Sequence, residues 1–175
     1  MTGSRTRPSP MMYRAAAVAA FAFLIAVAGP AKAHTENGAY VQRRHIRERA
    51  LTQRGASYRY GGSSPSGFDC SGFTRWTFLK HGASLPHSSL EQFRAANKTG
   101  FKRIWKRKNL KPGDLVFHKT TSARVGHAGI YIGDGKFVSS TTSSGVRVRS
   151  IWDSSYWGPR WVGGTRVPAN RVVSY

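Results

Sequence analysis

With 175 residues, 39% of them hydrophobic and 12% aromatic, the chain has the size and apolar content of one packed domain, which excludes a disordered polar tail. Its 28 Lys and Arg against 7 Asp and Glu give a net charge of +21, so an anionic partner is expected. The one cysteine excludes an intrachain disulfide. Six histidines without zinc-ligand spacing, and the lack of H-E-x-x-H, G-x-G-x-x-G and P-loop motifs, leave no metal or cofactor implied.

Arg5, Arg7 and Arg14 precede an apolar run from Ala15 to Ala28, and Ala31-Lys32-Ala33 closes it with an A-x-A pattern. This reads as a secretory signal cleaved after Ala33, and the run is short for a membrane span. Cleavage removes the four positive charges of Arg5, Arg7, Arg14 and Lys32 and no acid, which takes +21 to +17 for a single domain over 34–175. Residues 34–53 read as a polar linker and then a helix with an apolar face of Tyr40, Val41, Ile46, Ala50 and Leu51, ended by Gly55.

Tyr58 to Gly67 is rich in Gly, Ser and Pro and reads as a turn-rich loop. After it, Phe73, Trp76, Phe78 and Leu79 form the stripe of a short helix. Asp69 is a good N-cap, so Cys70 falls at the first helical position. There the helix dipole and unpaired amides are expected to lower the thiol pKa and activate it as a nucleophile. Gly82 stops this helix, and Ser88 with Glu91 forms a capping box that opens another over Ser89 to Asn97.

From Lys111 onward the pattern is that of strands. Pro112-Gly113 is a turn, and strands follow at Asp114 to His118, Gly126 to Ile132, Lys136 to Thr141, Gly145 to Ile151 and Trp161 to Val167. A cysteine nucleophile needs a base, and His127 is the best placed candidate, at the start of the strand that enters the Gly133-Asp134-Gly135 turn. If that turn is a three-residue loop, Thr141 lies opposite His127 and Ser139 is its diagonal neighbour on the same face. Trp152, Tyr156, Trp157 and Trp161 cluster late, as core or groove wall or as a sugar-stacking platform.

Three of these stretches, Tyr58 to Phe73, Lys111-Pro112-Gly113-Asp114-Leu115-Val116-Phe117, and His127 to Val138, resemble successive motifs of the NlpC/P60 cysteine peptidases that cleave cell-wall peptides. The resemblance covers about residues 50–167. It implies a papain-like α+β fold in which N-terminal helices, with the cysteine at one helix start, pack on an antiparallel sheet of about five strands.

By the same resemblance Cys70 is the nucleophile and His127 the base, while the hydroxyl of Tyr58 joins the Cys70 amide as oxyanion donor; a core aromatic is the other reading of Tyr58. Asp69 and Ser71 match residues that meet the substrate's free amine and backbone. His87 stands where the family's L-P-R-x-S segment carries Arg, as a substrate contact or as a plain loop residue. The family's third polar residue, usually His, is replaced by Ser139, which leaves Ser139, Thr141 or water to orient His127.

The implied activity is hydrolysis of peptidoglycan stem peptides at the γ-D-glutamyl-diamino acid bond. An inactive wall-binding module and a cysteine amidase or acyltransferase are the other readings. The charge suits carboxylate-bearing peptidoglycan peptides and anionic cell-envelope polymers. Lys102 to Lys108, with Trp105, is the densest basic segment, but no nucleic-acid-binding motif accompanies it and nucleic acid is not an expected partner.

Overall fold

The computed structural model describes residues 42–168. The signal segment, its cleavage point, Tyr40 and Val41 lie outside these residues. Residues 42–52 are helical (α1), bury Ile46 and Ala50, and are followed by Gly55 at φ 90°. The loop beyond closes on itself as a two-strand hairpin, β1 (Ser63–Ser64) with β2 (Gly67–Phe68), and Tyr58 makes a bridge to Phe68.

Helix α2 (Cys70–Leu79) starts where the cap requires: Asp69 has extended backbone and its side chain accepts from Gly72 N. It buries Ser71, Phe73, Thr74, Thr77 and Phe78. Leu79, expected in the apolar stripe, is 51% exposed because it stands one residue, about 100° of turn, past Phe78. Trp76 is half-buried, edge-on to Phe68 at 5.4 Å and roofed by the Arg49 guanidinium of α1 at 3.6 Å.

Helix α3 (Ser89–Arg94) is capped by Ser88, which accepts from Glu91 N. The expected run to Asn97 is completed by a tighter 3₁₀ turn, Ala95–Asn97.

The sheet is antiparallel and has six strands rather than about five: β3 (Lys102–Ile104), β4 (Leu115–His118), β5 (His127–Gly133), β6 (Lys136–Thr141), β7 (Gly145–Ser150) and β8 (Trp161–Arg166), in the order β3-β8-β4-β5-β6-β7. The extra strand is β3, which pairs Lys102 to Arg166 and Ile104 to Gly164. Its composition hides it, since only Ile104 is buried. At the C-terminal end of β8, Asp114 holds Arg166 through two charge-assisted bonds of 2.8 and 2.7 Å and fixes the start of β4 against it.

Helix α2 lies across β5 and β6 over a core of Phe68, Phe73, Phe78, Phe117, Ile130 and Val138. The hydroxyl of Ser140 on β6 donates to Phe68 O at 2.7 Å, which ties the loop before the cysteine to the sheet.

Gly72 sets how close that loop comes. A Cβ at this position would stand 2.0 Å from Gly62 O and 2.8 Å from His87 Nε2, so the helix start is packed directly on backbone. Gly72→Ala is expected to destabilise the protein by about 1–3 kcal/mol through overpacking. Urea unfolding followed by tryptophan fluorescence measures it, and an unchanged midpoint would show that the loop yields at no cost.

Candidate active site

Cys70, His127 and Tyr58 line one cleft of about 510 Å³ between α2 and the sheet. Each arrives by a separate local device. The cap of α2 places Cys70, the bridge to Phe68 places Tyr58, and His127 opens β5 directly opposite His118 on β4.

The base is oriented by β6. Ile130 pairs with Val138 and Tyr131 with Phe137, after which a bulge lets Gly133 face Lys136 across a two-residue Asp134-Gly135 turn. Asp134 takes the left-handed φ of 51° that such a turn needs. The loop is thus one residue shorter than expected, but the bulge restores the same register around His127. His127 Nε2 lies 2.9 Å from Ser139 Oγ, which leaves Nδ1 for the thiol side. Thr141, the other hydroxyl on this face, is engaged by Arg149 Nη2 at 2.7 Å and by Ser144 at 3.1 Å.

Asp69, Ser71 and His87 come together in one closed network. Asp69 Oδ1 accepts from Gly72 N at 2.6 Å and Ser71 Oγ at 3.0 Å, and Oδ2 accepts from Gly61 N at 3.0 Å. His87 Nε2 stands 2.9 Å from the same Oδ2; an ionised carboxylate only accepts, so this nitrogen carries the hydrogen. His87 itself borders a separate depression with Pro86, Glu91 and Arg94. None of the three lines the cleft of Cys70 and His127.

The electrostatics reverse one expectation. Backbone amides do help the thiolate, that of Ala128 on β5 first and those of Ser71 and Cys70 at the helix start, but burial outweighs them and the Asp69 charge adds to it, so the thiol pKa is raised. His127 is pushed the other way, to about 3, by burial first and then by His118 and Arg149. At neutral pH both partners are therefore uncharged. Tyr58 is raised as well, by burial and then by the charges of Cys70 and Asp69, and stays a phenol able to donate.

Three neighbours of the base were not singled out from the sequence. Trp157 is buried with its ring 4.9 Å from the imidazole. His118 stacks on Phe137 at 4.9 Å, and its own pKa is lowered to about 3 by burial and Arg107. Arg149 donates to Ser139 O at 3.0 Å, lies 3.5 Å from Ser139 Oγ and lines the cleft. A signal for Arg149 existed: Arg147 and Arg149 alternate along β7, and Arg147 pairs with Ser139, so Arg149 is diagonal to it.

A helix-start cysteine facing a histidine on an antiparallel sheet defines a papain-like α+β domain with a thiol and imidazole in one cleft. The chain belongs to the NlpC/P60 family, whose model matches residues 55–166. It is 38% identical over 124 residues to the gamma-DL-glutamyl hydrolase of Bacillus subtilis, covering 69% of this chain and 29% of that protein. To the murein DD-endopeptidase MepS/murein LD-carboxypeptidase of Escherichia coli K12 it is 41% identical over 115 residues, covering 65% of this chain and 57% of that one. Among solved structures, the NlpC/p60 domain of the peptidoglycan hydrolase SagA superposes with a TM-score of 0.59 at 27% identity, over 71% of this chain and 98% of that domain. The chain thus spans well under two thirds of both full-length relatives.

The uncharged pair makes a prediction for alkylation. Only thiolate reacts, and below the thiol pKa its fraction rises tenfold per pH unit. With the pKa raised above its ordinary 9.0, and His127 already neutral above about 3, the iodoacetamide rate at Cys70 should climb with a slope near one from pH 5 to 9. A plateau across that range would mean a preformed thiolate-imidazolium pair.

Proposed function

We propose that the chain is an exported cysteine endopeptidase of one catalytic domain, released from its signal after Ala33, that hydrolyses peptidoglycan stem peptides at the γ-D-glutamyl-diamino acid bond. The observation that carries this reading is the cleft holding Cys70 and His127, with the imidazole hydrogen-bonded to Ser139, in a chain of the NlpC/P60 family. Support for the substrate comes from the names of the relatives, a gamma-DL-glutamyl hydrolase and a murein endopeptidase. Support for export comes from the N-terminal sequence; in addition, no helix among the described residues is long and apolar enough to cross a membrane.

In the proposed reaction the Cys70 sulfur attacks the peptide carbonyl while its proton passes to His127 Nδ1. The oxyanion is held by the Cys70 amide and the Tyr58 hydroxyl. His127 then protonates the leaving amine, a thioester remains, and water activated by His127 hydrolyses it to free acid and thiol. Ser139 accepts from Nε2–H and so keeps Nδ1 open for the proton. The nearby Arg149 cation disfavours an imidazolium, so the proton is handed on to the amine rather than held. Asp69, Ser71 and His87 serve the substrate from the flank of α2. A free amine there must displace one of the four donors now on Asp69.

Digestion of purified peptidoglycan by the exported protein, with fragments identified by mass, is expected to release peptides cut after D-glutamate. Cys70→Ala should release none. Equal fragments from the variant would remove Cys70 from the chemistry, and no fragments from either protein, with wall binding retained, would make the chain a binding module.

Ser139→Ala is expected to lower kcat about tenfold, the equivalent of one neutral hydrogen bond of roughly 1.4 kcal/mol, with KM little changed. Unchanged turnover in a stopped assay on a soluble stem peptide would show that Ser139 does not hold the imidazole.

A further inference from the structure

Away from the catalytic cleft, the basic segment after α3 folds into a concave surface. Lys102, Arg103, Trp105, Lys106, Lys108 and Lys111 wall a depression of about 690 Å³ along the free edge of β3, with Arg166 at its end. A second depression of about 710 Å³, between Phe93, Arg94 and Arg124, shares Arg103 and Trp105 with the first. The two adjoin at Arg103 and Trp105, the latter 58% exposed, and together make a basic track. Among the described residues no acidic side chain lines either depression.

The cations divide by commitment. Arg166 is held by Asp114, and Arg103 lies over the Phe93 ring at 3.5 Å with a bond to Thr165. The four lysines are exposed, and among the described residues none has an ion pair or a side-chain hydrogen bond. One or two lysines are enough to blunt an edge strand against aggregation. Four uncommitted ammonium groups and two fixed guanidiniums around a concavity, with an exposed indole between them, exceed that need and complement a chain of repeated negative charges. The β3 side of the track is separate from the chemistry, since β8 and β4 stand between β3 and the strand of His127, about 14 Å at ordinary strand spacing, while the second depression reaches Ala123 and Arg124 on the loop that leads into His127.

We infer that this track is a binding site for a phosphodiester-linked polyanion of the cell envelope, a polyol phosphate chain whose phosphates meet the lysines and whose polyol packs on Trp105. The choice of an envelope polymer over nucleic acid rests on the reading of the protein as an exported wall hydrolase. Binding through the track holds the enzyme on the wall while leaving the cleft free.

The test is binding of the exported protein to a synthetic poly(glycerol phosphate) chain at several salt concentrations, with single-stranded DNA of equal charge as comparator. The variant Lys102→Ala/Lys106→Ala/Lys108→Ala/Lys111→Ala should lose about tenfold or more in affinity at 100 mM salt. Its slope of log K against log salt should fall by about 2 to 3, at roughly 0.7 per phosphate contact on a single-stranded polyanion. A control of equal net charge, Arg47→Ala/Arg54→Ala/Lys80→Ala/Lys136→Ala, should lose no more than about threefold. Trp105→Ala should weaken binding with the slope unchanged.

Equal losses in the two fourfold variants would overturn the site in favour of bulk charge. No binding by the unaltered protein at 100 mM salt would overturn it outright, and tighter binding of the DNA would overturn the occupant. Hydrolysis of a soluble stem peptide, read separately, should be the same in all of these proteins. Its absence throughout, with track binding intact, would strike the catalytic reading and leave this one standing.

Discussion

Both oxygens of the Asp69 carboxylate are used, two donors on each, and the four donors come from three different stretches of chain. Gly72 N and Ser71 Oγ belong to the start of α2, Gly61 N to the loop that carries Tyr58, and His87 Nε2 to the segment before α3. One side chain therefore fixes the helix start, the Tyr58 loop and the flank of the site relative to each other. Cys70 is the next residue, so its sulfur inherits that position with little freedom of its own. Gly72 is the steric counterpart, since any side chain there would drive away Gly62, whose carbonyl accepts from the Asp69 amide, and His87, which sits on the Asp69 carboxylate.

The same carboxylate has an electrostatic cost. Its negative charge beside Cys70 joins burial in disfavouring thiolate, while Arg149 joins burial in disfavouring imidazolium on the other side. Both charges act against a resting ion pair, and a hydroxyl at position 139 does nothing to offset them, as a carboxylate would. Ser139 supplies direction without charge: its Oγ is hydrogen-bonded to the imidazole, and Arg149 holds its carbonyl in turn. A site built in this way keeps the Cys70 thiol protonated at rest. It also slows oxidation of the single, partly exposed thiol, because oxidation proceeds through thiolate.

What the sequence made legible was local or periodic. The cap at Asp69, the box at Ser88 and Glu91, and the hairpin around Asp134 each draw on neighbouring residues, and the structure has all three, the hairpin with a loop one residue shorter and a bulge that keeps the register. The alternation along β6 was enough to place Ser139 on the face of His127. Strand β3 escaped because its reason for being a strand is β8, about sixty residues later, and nothing in Lys-Arg-Ile itself asks for a ladder. The sign of the thiol shift escaped for a related cause. The helix dipole can be read from the position of a cap, whereas desolvation depends on what β5 lays over the sulfur. Trp157 was visible as an aromatic in a cluster, but its place against the imidazole is fixed only by the loop between β7 and β8 folding back on the sheet.

Net charge, a single number in the sequence, becomes a distribution in the fold. In the cleft the one guanidinium, that of Arg149, spends its four terminal N–H groups on Ser139 O, Arg147 O, Thr141 and Ser144, and the rest of the rim is hydroxyls and aromatics. Four uncommitted ammonium groups gather instead at the β3 edge, three strand spacings from the base. A polymer held at that edge does not compete with a peptide in the cleft. It raises the local concentration of wall peptides around it, and the gain depends on geometry rather than on a new contact at the reacting bond. Screening by salt then weakens attachment while leaving the buried Cys70–His127 pair nearly untouched, because exposed charges are screened and buried ones much less so. For a domain this basic, attachment and chemistry are thus separable by ionic strength alone.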